Sequence, residues 1–370
     1  MSDRKLKVGI VGLQPGRSWA ARAHVPALNA LSDRFEIAGI ANSSLASAER
    51  AASEMGVGRA FASVAELVAS PEIDIVSVTV KVAHHLDIVR AAIEAGKPVY
   101  CEWPLGNGLA EAEALAALAH ATDVLAVVGT QAVVAPEIVH LKRMIADGDL
   151  GDILSATVVA RGGGWGGIVA NKATDAYLLD KAGGATMLTI PVGHMIAALT
   201  DILGPLATLS SVLATRRPLA RVIDTGEQLP VDAPDQVLVS GLLANGAPVS
   251  IHYRGGMPRE GNGMVWEING SKGDARVLAP FGHVQLAQLR LEAALGEETT
   301  FTQIELPEEP VGFPDNPAAG NVARIYDRMA NDLRDSTCTA PTFDDAVAIH
   351  RVLTAIERSA QDGDRVVLQD

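Results

Sequence analysis

VGIVGLQPGRSWAARAH, residues 8–24, decides the fold. A short β-rich apolar run ends on Gly12, and from Trp19 onward the apolar residues fall at helical spacing. Strand, glycine turn and helix in that order form the crossover where a dinucleotide fold sets its pyrophosphate. Gly12 supplies the tight turn and, with Leu13 and Gln14, the expected phosphate loop. The glycine fingerprint is imperfect, because Gln14 stands where a second glycine would let backbone approach phosphate. An ordinary βα turn would share these residues. Position at the first crossover favours the dinucleotide.

The alternation continues downstream. FEIAGIA (35–41) is a second strand, and the helix-like SLASAERAASEM follows with Ser44 or Ser47 as its cap. ASVAELVAS (62–70) is patterned in the same way, and IDIVSVTV (73–80) is a buried strand. HHLDIVRAAIEAG (84–96) is a helix stopped by Gly96, and PVYCEW (98–103) is a strand. LAEAEALAALAHAT and VLAVVGTQAV add one more helix and strand. Such alternation means a parallel sheet with helices on both faces, and continuous apolar strands fit burial on both sides. Near residue 131 the pattern changes. An amphipathic helix, PEIVHLKRMIADGDLGDI, leads into the strand ILSATVVARGGG; the later runs DQVLVSGLLAN, PVSIHYRGG, MVWEINGSKGDARVL and FGHVQLAQL read as strands of a largely antiparallel open sheet. DNPAAGNVARIYDRMANDL and FDDAVAIHRVLTAIERSA are expected helices. The expected fold class is α/β: a Rossmann dinucleotide-binding domain over residues 1–130, then an α+β domain over 131–370 for substrate binding and oligomerisation.

Composition limits the functions. Of the 370 residues 48% are hydrophobic and 20% charged, an ordinary globular balance. A net charge of −14 argues against unaided binding to nucleic acid or an anionic membrane. It leaves one bound dinucleotide open, since backbone N–H groups hold phosphate without a basic surface. Cys101 and Cys338 give no disulfide framework and no zinc pattern, so no metal is expected. The opening segment enters a strand without a signal-peptide core, and a cytoplasmic location is expected.

With the glycine turn, VAHHLDIVRAAIEAGKPVYCEWPL (82–105) and GDLGDI (148–153) in this order, the chain resembles the Gfo/Idh/MocA oxidoreductase family over nearly its whole length. GLQPGRSWAARAHVPAL, EWPL and VGHMIAALTDIL are most similar to its Gal80-like branch. The resemblance implies NAD or NADP as cofactor and hydride transfer to or from a sugar-like or polyhydroxylated small molecule by a homo-oligomer, a dimer or tetramer. A catalytically silent regulator of the Gal80 type, or a redox-neutral lyase recycling its cofactor, is the alternative that the branch implies.

Two departures bear on the chemistry. Family enzymes read Glu-Lys-Pro where this chain has Glu102-Trp103-Pro104. An indole moves no proton, but it can pack on a nicotinamide ring or a sugar face. Glu102 and Trp103 are therefore expected on the cofactor side. His194 matches the family histidine, while Ile190 replaces the aspartate one helical turn earlier. His194 is the first candidate for proton transfer. Lys81, at the end of the fourth buried strand in VTVKVAHH, is the second, standing in for the missing lysine. His85 matches a cofactor-domain histidine. Asn42 and Ser43 end the second strand without the acid that would take a ribose 2′-hydroxyl, which leaves NADP acceptable. In RGGGWGG (161–167) Trp165 is expected to close over a substrate, with Tyr177 and Asp180 lining the same cleft, and Lys172 and Lys181 near them.

Overall fold

Residues 4–309 and 312–368 are described by the structure, a computed structural model. The chain divides into two compact units: Met1–Gln131 with Glu309–Ala348, and Ala132–Glu308 with Ile349–Asp370.

In the first unit six strands form one sheet: β1 (Leu6–Val11), β2 (Phe35–Ala41), β3 (Ala60–Phe61), β4 (Ile75–Val78), β5 (Val99–Glu102) and β6 (Ala126–Gly129). Their order is 3-2-1-4-5-6, all parallel, the order of a Rossmann fold. Every residue of β4, β5 and β6 is buried, as strands covered on both faces require. The connecting helices are α1 (Val25–Ala30), entered through a π turn at Ala20–His24, α2 (Leu45–Met55), α3 (Val64–Ala69), α4 (His85–Glu94) and α5 (Leu109–Thr122). Ser44, not Ser47, caps α2, its hydroxyl accepting from the Ser47 N–H. Gly96, in the left-handed region, follows the end of α4.

The second unit begins with α6 (Pro136–Ala146) and is built on a nine-stranded sheet. Its members are β7 (Ile153–Arg161), β9 (Leu206–Ala214), β12 (Gln236–Leu243), β13 (Pro248–Arg254), β14 (Met264–Gly270), β15 (Gly273–Ala279), β16 (Arg290–Leu295), β17 (Thr302–Gln303) and β18 (Val366–Val367). The order is 17-16-15-14-7-13-12-9-18, with β7 and β13 parallel and the other neighbours antiparallel. Burial alternates along β7, β12 and β13, leaving one open face. A small three-stranded sheet joins β8 (Ile168–Val169), β10 (Leu219–Val222) and β11 (Gln228–Pro230). The helices α7 (Lys172–Asp175) and α8 (Gly193–Leu203) lie in this unit, and α9 (Pro317–Asp335) lies in the first. The terminal helix α10 (Phe343–Asp362) has residues in both.

One expected strand is absent. FGHVQLAQL (281–289) is turn and loop, and β16 starts only at Arg290. The reason is local: the His283 carbonyl accepts from both the Leu286 and the Ala287 N–H, closing a helical turn in place of a ladder.

Candidate functional site

In the first unit the predicted cofactor residues gather at the carboxyl ends of the parallel strands, where open α/β sheets hold ligands. Gly12 has φ +104°, and a Cβ there would meet Val80 Cγ1 at 2.7 Å, so only glycine fits the turn. Leu13 is buried, and its carbonyl accepts from Asn42 Nδ2 at 2.8 Å, tying the end of β2 to the loop. Gln14 is exposed; its N–H donates to Ser18 Oγ, which closes the loop onto the following helix. Asn42 Oδ1 is buried and has no partner. A ribose hydroxyl would satisfy it, and the open turn at Gly12 suits a pyrophosphate, so the residues present fit a dinucleotide. Ser43 is exposed beside it.

Glu102 ends β5 and is 8% exposed, a placement that costs several kcal/mol for a lone carboxylate, of order 3–5. It is not alone. Gln131 Nε2 donates to Oε1 at 2.9 Å and to Oε2 at 2.8 Å, and His24 Nε2 lies 2.8 Å from Oε1. An ionised carboxylate only accepts, which makes His24 Nε2 the donor to it. Tyr326 OH lies 2.8 Å from Nδ1 and shares a hydrogen bond of 2.6 Å with Ser77 Oγ. Burial holds the Tyr326 and Tyr100 phenols above their ordinary pKa, so both stay protonated donors. The Tyr100 ring packs 4.9 Å from Tyr326 and 5.0 Å from His24.

Trp103, next in the chain, is buried, and its peptide bond to Pro104 is cis. His85 Nδ1 lies 2.8 Å from the Pro104 carbonyl and Nε2 3.0 Å from that of Val80, so the ring joins the ends of β4 and β5. Burial lowers its pKa, and the neutral ring donates to one of these two carbonyls. Lys81 is exposed at the start of the short turn Val82–His84. His24, Gln131 and Tyr326 were not singled out from the sequence. A signal existed for His24, which shares a helical stripe with Ala20, Ala27 and Leu28, all buried.

In the second unit His194 lies in the first turn of α8, 3% exposed. Burial first, and then His283, bring its pKa to about 3, so the ring is neutral at pH 7. His283 is held below its ordinary pKa by burial, and its Nε2 donates to the Gly162 carbonyl. The Trp165 indole stacks on His283, ring centres 6.3 Å apart and planes 13° apart, and its Nε1 donates to the Leu178 carbonyl. At 7% exposure Trp165 is packed down in this structure. Tyr177 is half-buried; Asp180 is exposed and accepts from the Ala182 N–H. Lys172 pairs with Glu227 and Lys181 with Glu357. Among the described residues no cluster of three or more His, Cys, Asp or Glu could hold a metal ion, and no helix is long and apolar enough to cross a membrane.

Comparison with known proteins matches both units. Residues 6–130 match the oxidoreductase family with an NAD-binding Rossmann fold, and 136–279 match the C-terminal domain of Gal80p. The dehydrogenase aclE of Aspergillus oryzae is 30% identical over 372 residues, covering 98% of each chain. The structure of the transcriptional regulator Gal80p of Kluyveromyces lactis superposes with a TM-score of 0.87 at 28% identity, over 99% of this chain and 92% of that one. A levoglucosan dehydrogenase, in complex with NADH and levoglucosan, shares the fold with a TM-score of 0.83 at 21% identity, over 99% of this chain and 100% of that one. The cofactor of the first unit is thus NAD or NADP. From the phosphate loop through the open sheet, the chain belongs to the Gfo/Idh/MocA oxidoreductase family, in its Gal80-like branch.

Proposed function

We propose that the protein is an NAD(P)-dependent oxidoreductase acting on a sugar-like or polyhydroxylated small molecule. The observation that carries this reading is the locked carboxylate: His24, Gln131, Tyr326 and Ser77 all serve to fix Glu102 at the carboxyl end of β5. A fixed acceptor there suits the orientation of a nicotinamide ribose or carboxamide. Gly12 and Asn42 would hold the pyrophosphate and a ribose hydroxyl. The bound nicotinamide supplies the hydride chemistry. The protein's part is then a proton acceptor, and neutral His194 is the first choice, with Lys81 second. Similarity to a dehydrogenase along the whole chain supports the same reading.

A second reading, a dinucleotide-responsive regulator of the Gal80 type, is favoured by Trp103 and Ile190 at the positions of the family lysine and aspartate. The test is a fluorescence titration with NADH and NADPH, then turnover against a panel of sugars and polyols. The oxidoreductase reading expects saturable binding and nicotinamide turnover with at least one panel member. Saturable binding without turnover, together with a protein partner whose affinity the dinucleotide changes, would transfer the case to the regulator.

A further inference from the structure

Gln131 follows Thr130 at the carboxyl end of β6 and opens the short turn Gln131–Val134. It is 1% exposed, yet only half of its amide is used. Nε2 donates to both oxygens of Glu102, at 2.9 and 2.8 Å, and lies 3.4 Å from Tyr100 OH. Oε1 is buried, and among the described residues no donor reaches it. Turning the amide over gives no relief, because Oε1 would then face the two carboxylate oxygens and both bonds would be lost. The pair is closely fitted: a Cβ on Gly129 would meet Gln131 Nε2 and Glu102 Oε1 at 2.9 Å each. A buried amide oxygen without a donor is costly, and native interiors hold few of them. Gln131 thus offers an acceptor to a donor from outside the chain.

Position on the sheet narrows the donor. The order 3-2-1-4-5-6 sets β6 four strand spacings from β2, roughly 19 Å at about 4.8 Å each. Each half of such a sheet serves one mononucleotide, and the phosphate loop after β1 and the end of β2 belong to the adenosine half. Gly12 and Asn42 stand there. Glu102 and Gln131, at the ends of β5 and β6, stand in the other half, that of the nicotinamide. Outward from the pyrophosphate that half presents ribose, ring and carboxamide in turn; outward from β1 the sheet presents β4, β5 and β6. The outermost acceptor therefore meets the outermost donor. Chemistry agrees, since a carboxamide nitrogen only donates and Gln131 Oε1 only accepts. The two bonds from Nε2 to Glu102 also polarise the amide, which makes Oε1 a stronger acceptor.

We propose that Gln131 is a cofactor-binding residue whose Oε1 accepts a hydrogen bond from the carboxamide N–H of the nicotinamide, leaving Glu102 to the ribose. One rigid side chain then serves both ends of the contact: Nε2 holds the carboxylate, and Oε1 holds the ring substituent. With its carboxamide held, the ring keeps one rotation about its bond to the ribose, so that a single face is presented. The inference rests on the dinucleotide cofactor of the first unit alone and holds whether or not the protein turns over a substrate.

The test compares a dinucleotide with its 3-acetylpyridine analogue, in which a methyl group replaces the carboxamide amino group at nearly the same shape. Calorimetry gives the affinity of the full-length protein for each, with NAD or NADP as the parent, whichever binds more tightly. The wild type should favour the carboxamide by about tenfold or more, the worth of one buried hydrogen bond. In Gln131→Met that ratio should fall to about threefold or less. Gln131→Asn draws the amide back by one methylene and should lower the ratio too; it replaces the methionine variant if circular dichroism shows that one unfolded. His24→Ala is the control, because it takes a donor from Glu102 without touching Oε1. Both dinucleotides should weaken there by one factor, with the ratio kept. The same pattern in Gln131→Met, both weakened and the ratio kept, would mean that Gln131 only supports Glu102 and would overturn the assignment. So would a wild-type ratio of about threefold or less. If neither dinucleotide binds saturably, the cofactor reading fails, and the proposal with it.

Discussion

The surroundings of Glu102 and of His194 solve the burial of a titratable group in opposite ways. Around Glu102 partners are gathered: His24 and Gln131 bond its oxygens directly while Tyr326 and Ser77 orient His24. Around His194 and His283 the charge is excluded, because burial holds both rings neutral. The first arrangement fixes geometry, since moving any member breaks a buried hydrogen bond. The second keeps both rings neutral at pH 7, so neither adds a charge to the interior of the second unit. The difference teaches two ways of burying a titratable group: surround it with hydrogen-bond donors, or hold it neutral by desolvation.

Four changes sharpen or break that comparison. Gly12→Asp has the largest expected effect, placing a side chain against Val80 and a negative charge at the phosphate loop. Saturable dinucleotide binding should vanish while circular dichroism still reports a folded chain. His194→Ala comes next; turnover on an identified substrate should fall by roughly 10²–10⁴-fold, the usual loss for a general acid or base. Full activity in that variant would move the role to Lys81.

His24→Ala removes one donor from Glu102 and one hydrogen-bond partner from Tyr326. Urea unfolding should show a loss of about 3 kcal/mol, in the range for breaking a buried pair. Glu102→Gln, which keeps the shape and an acceptor oxygen, should cost less. A loss below about 1 kcal/mol for His24→Ala would mean that the network adds little to stability.

Acid tests the neutral histidines. A histidine whose folded pKa lies below its unfolded value of 6.5 leaves the unfolded chain to take up the proton first. Its contribution to stability is complete above pH 6.5 and is lost as pH falls toward the folded value, about 3 for His194 and about 4 for His350. At pH 5 one such group removes about 2 kcal/mol. His194→Gln should therefore lose less stability than wild type between pH 7 and about 5. Parallel losses in the two proteins would show that His194 is not held neutral.

Much of this was legible in the sequence, and for physical reasons. Period-2 and period-3.6 patterns are local, so the Rossmann alternation and the open antiparallel sheet could be read off, and Gly12 and Gly96 marked their turns. What could not be read is partnership at a distance. Tyr326 lies 302 residues from His24, and the amphipathic period of α9 tells which side is buried but not against which sheet. Gln131 looked like the tail of an apolar run, and only the fold sets its amide against Glu102. FGHVQLAQL misled because a short apolar run reads the same in a strand and in a buried turn. Trp165 is expected from its glycine-rich loop to close over a substrate, and nothing local in the sequence shows that His283 stacks on it.

The central claim is hydride transfer, and isotope transfer tests it most directly. The protein is incubated with nicotinamide dinucleotide deuterated at the transferable position and with a panel of oxidised sugars and cyclitols, and products are analysed by mass spectrometry. The account predicts one deuterium in at least one reduced product, lost when His194 is alanine. Saturable dinucleotide binding with no deuterium in any product would contradict it.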